Sequence, residues 1–540
     1  MDKKLQTKDE PIQLSKFTQA LLSAVNSIKS PAIPDDFSKL SVSQTVSFVA
    51  LVYEKVRNAV EFREEHLVLR AAIERILKRR LSLNPDGKGE AENLIRELLW
   101  ARYFDNESLG NHDAKKIQII IDRLLFLKRQ IVIGRNPEVQ QFLSQFLVDL
   151  ATGEIEETLK PDETARKSGF TFYIFQVLRN KIKLEGLTED QRDAYFLAAI
   201  EKAYRKSDKA YQRYHLFITF YKRLQDYSID EIENKTAKFP DIFSKVEKII
   251  TNPYVDSLAR FVKKQMPPFL ILFDIFKNKP NEAKEILQNR TRLWSEVDLA
   301  CREKYQQIST RLKNLAFKSF IYILLTKMIL ALILEFPVSL YFFNEVNTSA
   351  IIINSLFPPI LMAIIFLFFR TPGDDNTRKI YHRIIDIVNA DKSFETKVAF
   401  VPKKARSRNP VLIFGFTVFY SISFIVTLLL IYEVLSVLKF NAVSQVIFIF
   451  FVSVVTFFSY RIKQIVNEYH LKEKESVLAP IGDFFFMPIL SLGKFLSQEL
   501  SKLNFFIFIF DFLIEAPFKL VFEVVEEWIS FVRQRKEEII

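Results

Sequence analysis

Cysteine and glycine are both scarce in this chain. The sequence has one cysteine, Cys301, and 11 glycines among 540 residues. A single cysteine excludes an intramolecular disulfide and any metal site built from several cysteines. Glycine lies far below the usual ~7% of soluble proteins, so the chain has few positions for tight turns or phosphate-cradling loops. This scarcity predicts helices joined by plain loops.

Familiar catalytic motifs are also missing. The sequence contains neither G-x-x-x-x-G-K-[ST] nor G-x-G-x-x-G, and PDGKGE around Lys88 lacks the spacing of both. Its five histidines form no H-E-x-x-H or E-x-x-H pair, which argues against a zinc protease and a di-iron bundle. The adjacent residues Glu64, Glu65 and His66 are interpreted as a solvated helix face. We therefore expect a non-enzymatic protein with no cofactor and no metal.

Four long apolar runs dominate the second half of the chain. They cover residues 317–343, 349–369, 411–438 and 443–460. A helix needs roughly 20 apolar residues to cross the hydrocarbon core, and only NEVNT and KFNA connect the members of each pair. The pattern predicts four transmembrane helices arranged as two tight hairpins, in an all-α, polytopic membrane protein.

The charges around these runs predict their orientation. Residues 370–410 are rich in Lys and Arg, whereas the short hairpin linkers carry almost none. Excess Lys and Arg beside spans stays cytoplasmic, and the residues before the first span and after the fourth are basic too. We expect both termini in the cytoplasm. The start, MDKKLQTKDEP, lacks the apolar region of a cleaved signal peptide.

The rest of the chain is interpreted as helical. Residues 41–81 show a three–four apolar spacing typical of one long helix with coiled-coil character, and shorter helical patterns follow. Thr188 with Gln191 and Ser228 with Glu231 have capping-box spacing. The predicted segments are a flexible tail (1–40), a cytoplasmic all-helical domain (41–252), a helical connector (253–316), the first hairpin (317–369), a basic cytoplasmic loop (370–410), the second hairpin (411–460) and a cytoplasmic or interfacial amphipathic region (461–540).

Three charged residues inside the apolar runs form the candidate intramembrane polar site. They are Lys327 and Glu335 in the first run and Glu433 near the outer end of the third. Lys327 and Glu335 are about 80° apart around an ideal helix, so they either line a polar path or pair with residues on other spans. In the alternative interpretation, Lys327 extends towards the cytoplasm and Glu335 lies near the far interface.

Two further charge patterns bear on lipid. After residue 484 the chain is apolar around most of each turn, with a narrow polar stripe formed by Asp511, Glu515, Lys519 and Glu523. Such a helix is expected to lie in the membrane interface, although a fifth span over 504–525 is the alternative. The basic cluster of Lys403, Lys404, Arg406 and Arg408 either contacts anionic lipid or serves only as a topology signal.

These patterns leave three functional hypotheses. The formal charge of +12 lies largely beside the spans, so anionic lipid rather than nucleic acid is the expected partner. The leading hypothesis is a membrane-anchored scaffold whose helical domain binds a protein partner or another copy and helps shape the bilayer. The second is an oligomeric ion or small-solute channel or transporter with Lys327 and Glu335 on its path. The third is an enzyme whose active site is assembled from distant helices.

Overall fold

The computed structural model describes residues 11–28, 38–61, 65–184, 186–343, 347–369, 371–389, 399–401, 410–471 and 487–496, and positions 524, 528, 531 and 532. These residues are almost all helical, which confirms the all-α prediction. They form two compact units: one holds residues 17–263, 399–401 and the four described positions after 503, and the other holds residues 11–16, 264–389 and 410–496. The basic cluster 403–408 and the polar stripe 511–523 lie outside the described residues, as does nearly all of the alternative span 504–525.

The first unit, called the amino-terminal unit, is built from helices and two short strands. The helices are α1 (Lys16–Asn26), α2 (Gln44–Glu61), α3 (Val68–Leu83), α4 (Glu90–Trp100), α5 (Asn111–Ile131), α6 (Pro137–Leu159), α7 (Pro161–Leu178), α8 (Glu189–Ala203), α9 (Lys209–Phe220), α10 (Ile229–Lys235), α11 (Phe239–Ile250) and the start of α12 (Pro253–Asn278). Strand β1 (Ile182–Leu184) pairs in parallel with β2 (Ala399–Val401). The sequence pattern missed these three-residue strands.

Helix α6 forms the centre of this unit. From Leu143 onwards it is buried on nearly all sides, against α3, α5 and α9. Gly153 permits the close approach of α9, because a Cβ there would lie 2.6 Å from Cγ of Tyr214. The ring of Phe146 stacks on Phe243, with centroids 4.2 Å apart. A helix buried all round lacks a solvent face, so it organises the core.

The structure corrects two predictions at the amino-terminal end. Residues 41–81 are not one helix: Glu54 on α2 forms a 2.7 Å ion pair with Arg75 on α3, whereas a straight helix would separate positions 21 residues apart by about 30 Å. Nor is the predicted tail 1–40 free throughout, since Leu21 and Leu22 on α1 are buried. Both predicted capping boxes, at Thr188 and Ser228, are confirmed.

The second unit, called the span-bearing unit, contains the apolar helices. It comprises residues 11–16, the rest of α12, α13 (Ala283–Gln288), α14 (Arg290–Leu330), a π-helical turn (Ala331–Glu335), α15 (Phe336–Phe343), α16 (Thr348–Leu367), α17 (Asp374–Val388), α18 (Pro410–Val437), α19 (Ala442–Val466) and α20 (Met487–Leu496). Among the described residues, four helices are long and apolar enough to cross a membrane, and they coincide with the four predicted runs. Four candidate spans are thus confirmed.

Helix α14 joins a polar half to an apolar half without interruption. Its first half buries Leu293, Val297 and Cys301, and its second half enters the first apolar run. The π-helical turn follows directly, two residues before Pro337. Proline has no backbone N–H and its ring clashes with the preceding turn, so helices often widen or kink there. The widened turn changes which residues of this helix share a face.

Asn376 ties together three segments near one end of the apolar helices. Its Nδ2 donates to the Tyr305 hydroxyl on α14 at 2.7 Å and to the Tyr469 carbonyl beyond α19 at 2.8 Å. Its Oδ1 accepts from the Leu471 backbone N–H at 2.9 Å. Asn376 itself lies in the first turn of α17 and is buried. One amide therefore fixes α14, α17 and the segment after α19 to each other.

Helix α20 packs closely against the middle of α19. An added Cβ on Gly493 would lie 2.1 Å from the Ser453 carbonyl oxygen, and Ser491 on α20 hydrogen-bonds to Tyr420 on α18 at 2.9 Å. The sequence predicted a cytoplasmic or interfacial position for 461–540. The structure places α20, a described part of this region, beside an apolar helix, since glycine lets two helix backbones approach closely. The position of the region relative to a membrane stays a prediction.

We expect Gly493→Leu to displace α20, because its side chain would overlap the α19 backbone and such overpacking costs about 1–3 kcal/mol. The matched control is Gly415→Leu on α18, where an added Cβ meets nothing within 4 Å. The measurement is a bismaleimide cross-link between Tyr420→Cys and Ser491→Cys in a Cys301→Ser background. Equal cross-linking in the Gly493→Leu and Gly415→Leu proteins would contradict this packing.

Candidate functional site

The first candidate site is a buried ion pair among the apolar helices. Lys327 Nζ lies 2.9 Å from Glu335 Oε1, and both side chains are fully buried. On an ideal α-helix, two side chains eight residues apart point about 80° away from each other. A π-helical turn accommodates one extra residue, so these eight residues turn through about the same angle as seven α-helical residues. Seven residues bring the second side chain to within about 20° of the first. The π-helical turn therefore brings Lys327 and Glu335 to one face.

Helices α16 and α19 complete the surroundings of this pair. Asn354 on α16 donates from Nδ2 to Glu335 Oε1 at 2.5 Å and to the Ser444 carbonyl of α19 at 3.2 Å. The Lys327 ammonium lies 4.8 Å from the centroid of the Phe451 ring, which favours its charge. These side chains, together with the Ser444 carbonyl, are called the intramembrane cluster below.

Two acceptors in the cluster accept no hydrogen bond from the residues that the structure describes. They are Glu335 Oε2 and Asn354 Oδ1, and both are buried. A buried acceptor without a donor costs about 1–3 kcal/mol, so these two oxygens are the least satisfied part of the cluster.

The direction of the Lys327 side chain bears on the two interpretations of this residue. Its side chain is directed along the helix towards Glu335 and not away from it, and none of it is exposed. The two charges therefore satisfy each other, as in the interpretation in which each has a partner, and their depth relative to a membrane stays a prediction. Glu433 is exposed on α18 and lies outside the cluster.

Polar and apolar side chains surround the cluster asymmetrically. On the side of the hairpin linkers, the Ser339 hydroxyl accepts from Asn441 Nδ2 at 2.7 Å, and Ser339 lies one turn beyond Glu335. On the opposite side, α14, α16 and α19 close with an apolar group that includes Ile308, Phe366 and Ile462. The cluster thus has polar contacts towards one end of the helices and an apolar barrier towards the other.

A second buried polar cluster lies in the amino-terminal unit. His215 on α9 contacts Glu201 on α8 through Nδ1 at 2.7 Å and Glu157 on α6 through Nε2 at 3.1 Å. Arg205 Nε lies 3.4 Å from Glu201, and the Tyr214 hydroxyl donates to Glu157 at 2.9 Å. Two carboxylates thus face two cationic groups inside the protein. These five residues are called the histidine cluster.

The carboxylates in this cluster favour the charged form of the histidine. Burial alone lowers the pKa of His215, but Glu201 and Glu157 outweigh burial and raise it above its ordinary value. Arg205 Nη1 is also 2.6 Å from His215 Nε2. That contact is a hydrogen bond only for a neutral imidazole, and we favour the imidazolium because both ring nitrogens face carboxylates.

Sequence reasoning missed both Asn354 and the histidine cluster. The signal for Asn354 was a lone amide in a run of apolar residues, where polar groups need partners. No spacing marked the second cluster, because Glu154, Glu156 and Glu157 fall within about 160° of one helix at 100° per residue, an arc that a solvated face can hold. All three are buried.

Glu154 is a buried carboxyl group with a pKa near neutrality. Its oxygens accept the backbone N–H groups of Leu224 at 2.7 Å and Gln225 at 2.9 Å. Burial raises its pKa to about 7, although the two N–H groups oppose this shift. Ionisation of Glu154 therefore strengthens two hydrogen bonds and at the same time buries a charge.

We expect the contribution of Glu154 to the free energy of unfolding to fall as pH rises. The pKa of Glu154 is about 7 in the folded chain, whereas an unfolded Glu has a pKa of about 4.3. The protonated carboxyl group therefore contributes on the order of 3 kcal/mol to stability below about pH 4.3, and this contribution is lost as pH rises through about 7. Glu154→Gln should remove this dependence, and exposed Glu138→Gln on the same helix should not. Hydrogen exchange of the Leu224 and Gln225 amides between pH 5 and 8, corrected for intrinsic rates, measures this pH dependence. If their protection changes with pH in Glu154→Gln as it does in the parent protein, Glu154 is not the titrating group.

Within the described part of the chain, no three His, Cys, Asp or Glu side chains are arranged to hold a metal ion. The intramembrane cluster remains the site that the sequence anticipated, with Lys327 and Glu335 together and Glu433 apart. Comparison with protein-family models, with curated proteins and with solved structures found no match to this chain.

Proposed function

We propose that this chain is a non-enzymatic integral membrane scaffold. Its amino-terminal helical domain lies in the cytoplasm and binds a protein partner or another copy of the chain, while the two hairpins anchor it. Both termini face the cytoplasm, and anionic lipid contacts the basic segments beside the spans. The carboxyl-terminal region lies at the membrane and contributes to bilayer shape.

The observation that carries this proposal is the continuity of α14. One helix of 41 residues runs from a charged, partly buried first half into the first apolar run. Asn376 then ties its first half to α17 and to the segment after α19. A continuous helix transmits position better than a flexible linker does. This connection suits a protein whose parts outside the bilayer are held in a fixed relation to its spans.

The single cysteine makes the topology straightforward to test. In a Cys301→Ser background, Arg302→Cys on α14 and Val437→Cys at the end of α18 both place a thiol at an exposed position. In sealed vesicles, a membrane-impermeant maleimide should reach one of these thiols before lysis and the other only after it. Equal labelling of both in intact vesicles would overturn the four-span arrangement.

Self-association tests the scaffold function. Full-length protein carrying one fluorophore is reconstituted in lipid vesicles at several protein-to-lipid ratios, with and without anionic lipid, and photobleaching steps are counted. We expect assemblies larger than a monomer that become more frequent at higher density. Monomers at every density and in every lipid would remove self-assembly as a function of this chain.

A further inference from the structure

A small polar pocket lies where α6 meets α7 in the amino-terminal unit. The end of α6, the first two turns of α7 and the residues around the start of α9 form most of its wall, and its volume is about 50 Å³. A cavity needs roughly 10–15 Å³ to hold one water, so this pocket has room for a few waters or a ligand of similar size. The Glu163 side chain at its rim is 53% exposed, so the pocket opens to solvent.

Most of the charged groups in this pocket already have close partners. Glu157, Arg205 and His215 belong to the histidine cluster, in which cations and carboxylates face each other. At the rim, Lys167 Nζ pairs with Glu163 Oε1 at 2.6 Å. These groups therefore have little capacity left for a ligand.

Three polar groups in the pocket have unused hydrogen-bonding capacity. Glu156 is nine-tenths buried, and its Oε2 accepts from the Tyr211 hydroxyl, whereas its Oε1 accepts no hydrogen bond from the described residues. Lys160 Nζ lies 3.9 Å from Glu163 Oε2, which is too far for a hydrogen bond. The Thr164 hydroxyl makes no hydrogen bond within the described part of the chain. One carboxylate oxygen, one ammonium and one hydroxyl are thus available together.

The two spare charges have opposite signs and lie close together. Glu156 and Lys160 are one helical turn apart at the end of α6, where the Cβ atoms of such a pair are about 5–6 Å apart. Burial raises the pKa of Glu156, and the cations Lys160, Lys167 and Arg70 only oppose this shift. A ligand with a single charge would be attracted by one spare group and repelled by the other. A ligand with both charges satisfies both groups and adds no net charge to a partly buried site.

We propose that this pocket binds the ammonium and carboxylate groups of a free α-amino acid. The ligand ammonium donates to Glu156 Oε1, and the ligand carboxylate accepts from Lys160 Nζ and from the Thr164 hydroxyl. An α-amino acid suits the site because its two charges are on neighbouring atoms, as required by two protein groups one turn apart, and because its main-chain atoms fit the small volume. Its side chain extends through the open rim. This site goes beyond the scaffold function, which does not require a small ligand.

The test measures ligand binding to full-length protein in lipid nanodiscs. Each of the standard amino acids is added at equal ionic strength and pH, and Tm and the binding of the radiolabelled compound are recorded. We expect at least one amino acid to bind saturably and to raise Tm. Acetate, methylammonium, inorganic phosphate and the N-acetyl derivative of the same amino acid should not do so at the same concentration, because each lacks one of the two charges.

Three variants assign the binding to the pocket. Glu156→Gln and Lys160→Met should each weaken it roughly tenfold or more, since each removes a hydrogen bond between charged groups. Thr164→Val should weaken it less, because it removes a neutral donor. The matched controls, exposed Lys115→Met on α5 and exposed Glu138→Gln on α6, should bind as the parent does. If Glu156→Gln does not yield folded protein, Lys160→Met at the half-exposed helix junction carries the test.

Three results would overturn the proposal. The first is a parent protein that binds none of the amino acids. The second is binding of acetate, methylammonium or phosphate as tightly as the best amino acid, which would indicate a site for a single charge. The third is amino acid binding that is unchanged in Glu156→Gln or in Lys160→Met. Self-association in vesicles is measured without added ligand, so the scaffold function stands or falls independently of this site.

Discussion

Replacement of Lys327 by Leu should destabilise the span-bearing unit by roughly 3–5 kcal/mol, the usual cost of leaving one member of a buried ion pair uncompensated. Among the described residues, Lys327 is the only cation that contacts Glu335, and without it Glu335 would keep the Asn354 amide as its partner in an apolar interior. Glu335→Leu should cost a similar amount, because it leaves the Lys327 ammonium beside an aromatic ring without its carboxylate.

The double variant Lys327→Leu/Glu335→Leu separates the ion pair from simple packing. Exchange of a whole buried pair for apolar side chains is often neutral, so we expect the double variant to be clearly more stable than either single variant. Unfolding of the full-length protein in mixed micelles measures the cycle, with Glu433→Leu as the control for removal of an exposed charge. If the two single effects simply add, the pair contributes no coupling and this account is wrong.

The second large effect is expected at His215. Substitution by Leu removes the cation that lies between Glu201 and Glu157, so the two buried carboxylates keep Arg205 and, for Glu157, the more distant Arg223 at 3.9 Å. We expect a loss of roughly 3–5 kcal/mol in the free energy of unfolding. The matched control is His112→Leu, because His112 is exposed on α5. Thermal and chemical unfolding of the full-length protein measure both variants.

The pH dependence of the same variant provides an independent test. The pKa of His215 is raised in the folded chain, so its stabilising contribution is full below its unfolded pKa, near 6.5, and is lost as pH rises through the folded value. The difference between the parent and His215→Leu should therefore be largest at slightly acidic pH and should shrink at alkaline pH. A constant difference from pH 6 to pH 10 would show that His215 stabilises only by packing.

Local patterns determined much of the fold. Each apolar run became one of the four long helices, because about 20 apolar residues satisfy their own backbone hydrogen bonds as a helix. The capping boxes at Thr188 and Ser228 formed as predicted, since their partners are only three residues away. Where the interacting groups are neighbours in the chain, the sequence was sufficient.

Contacts between distant residues were decided only by the tertiary structure. The reversal between α2 and α3 depends on a pair 21 residues apart, Glu54 with Arg75. The histidine cluster joins α6, α8 and α9, and no spacing of residues along the chain predicts that these helices contact each other. The position of α20 depends on Gly493 reaching Ser453, 40 residues earlier.

The candidate site shows the same division. By itself the sequence determined that Lys327 and Glu335 are charges in an apolar run, and that such charges need partners. It did not determine that they pair with each other, because an ideal helix would leave them about 80° apart. Their pairing depends on the π-helical turn before Pro337 and is supported by the hydrogen bond from Asn354 on α16 to Glu335. Periodicity describes one helix at a time, whereas the widened turn and the facing amide exist only when the helices pack.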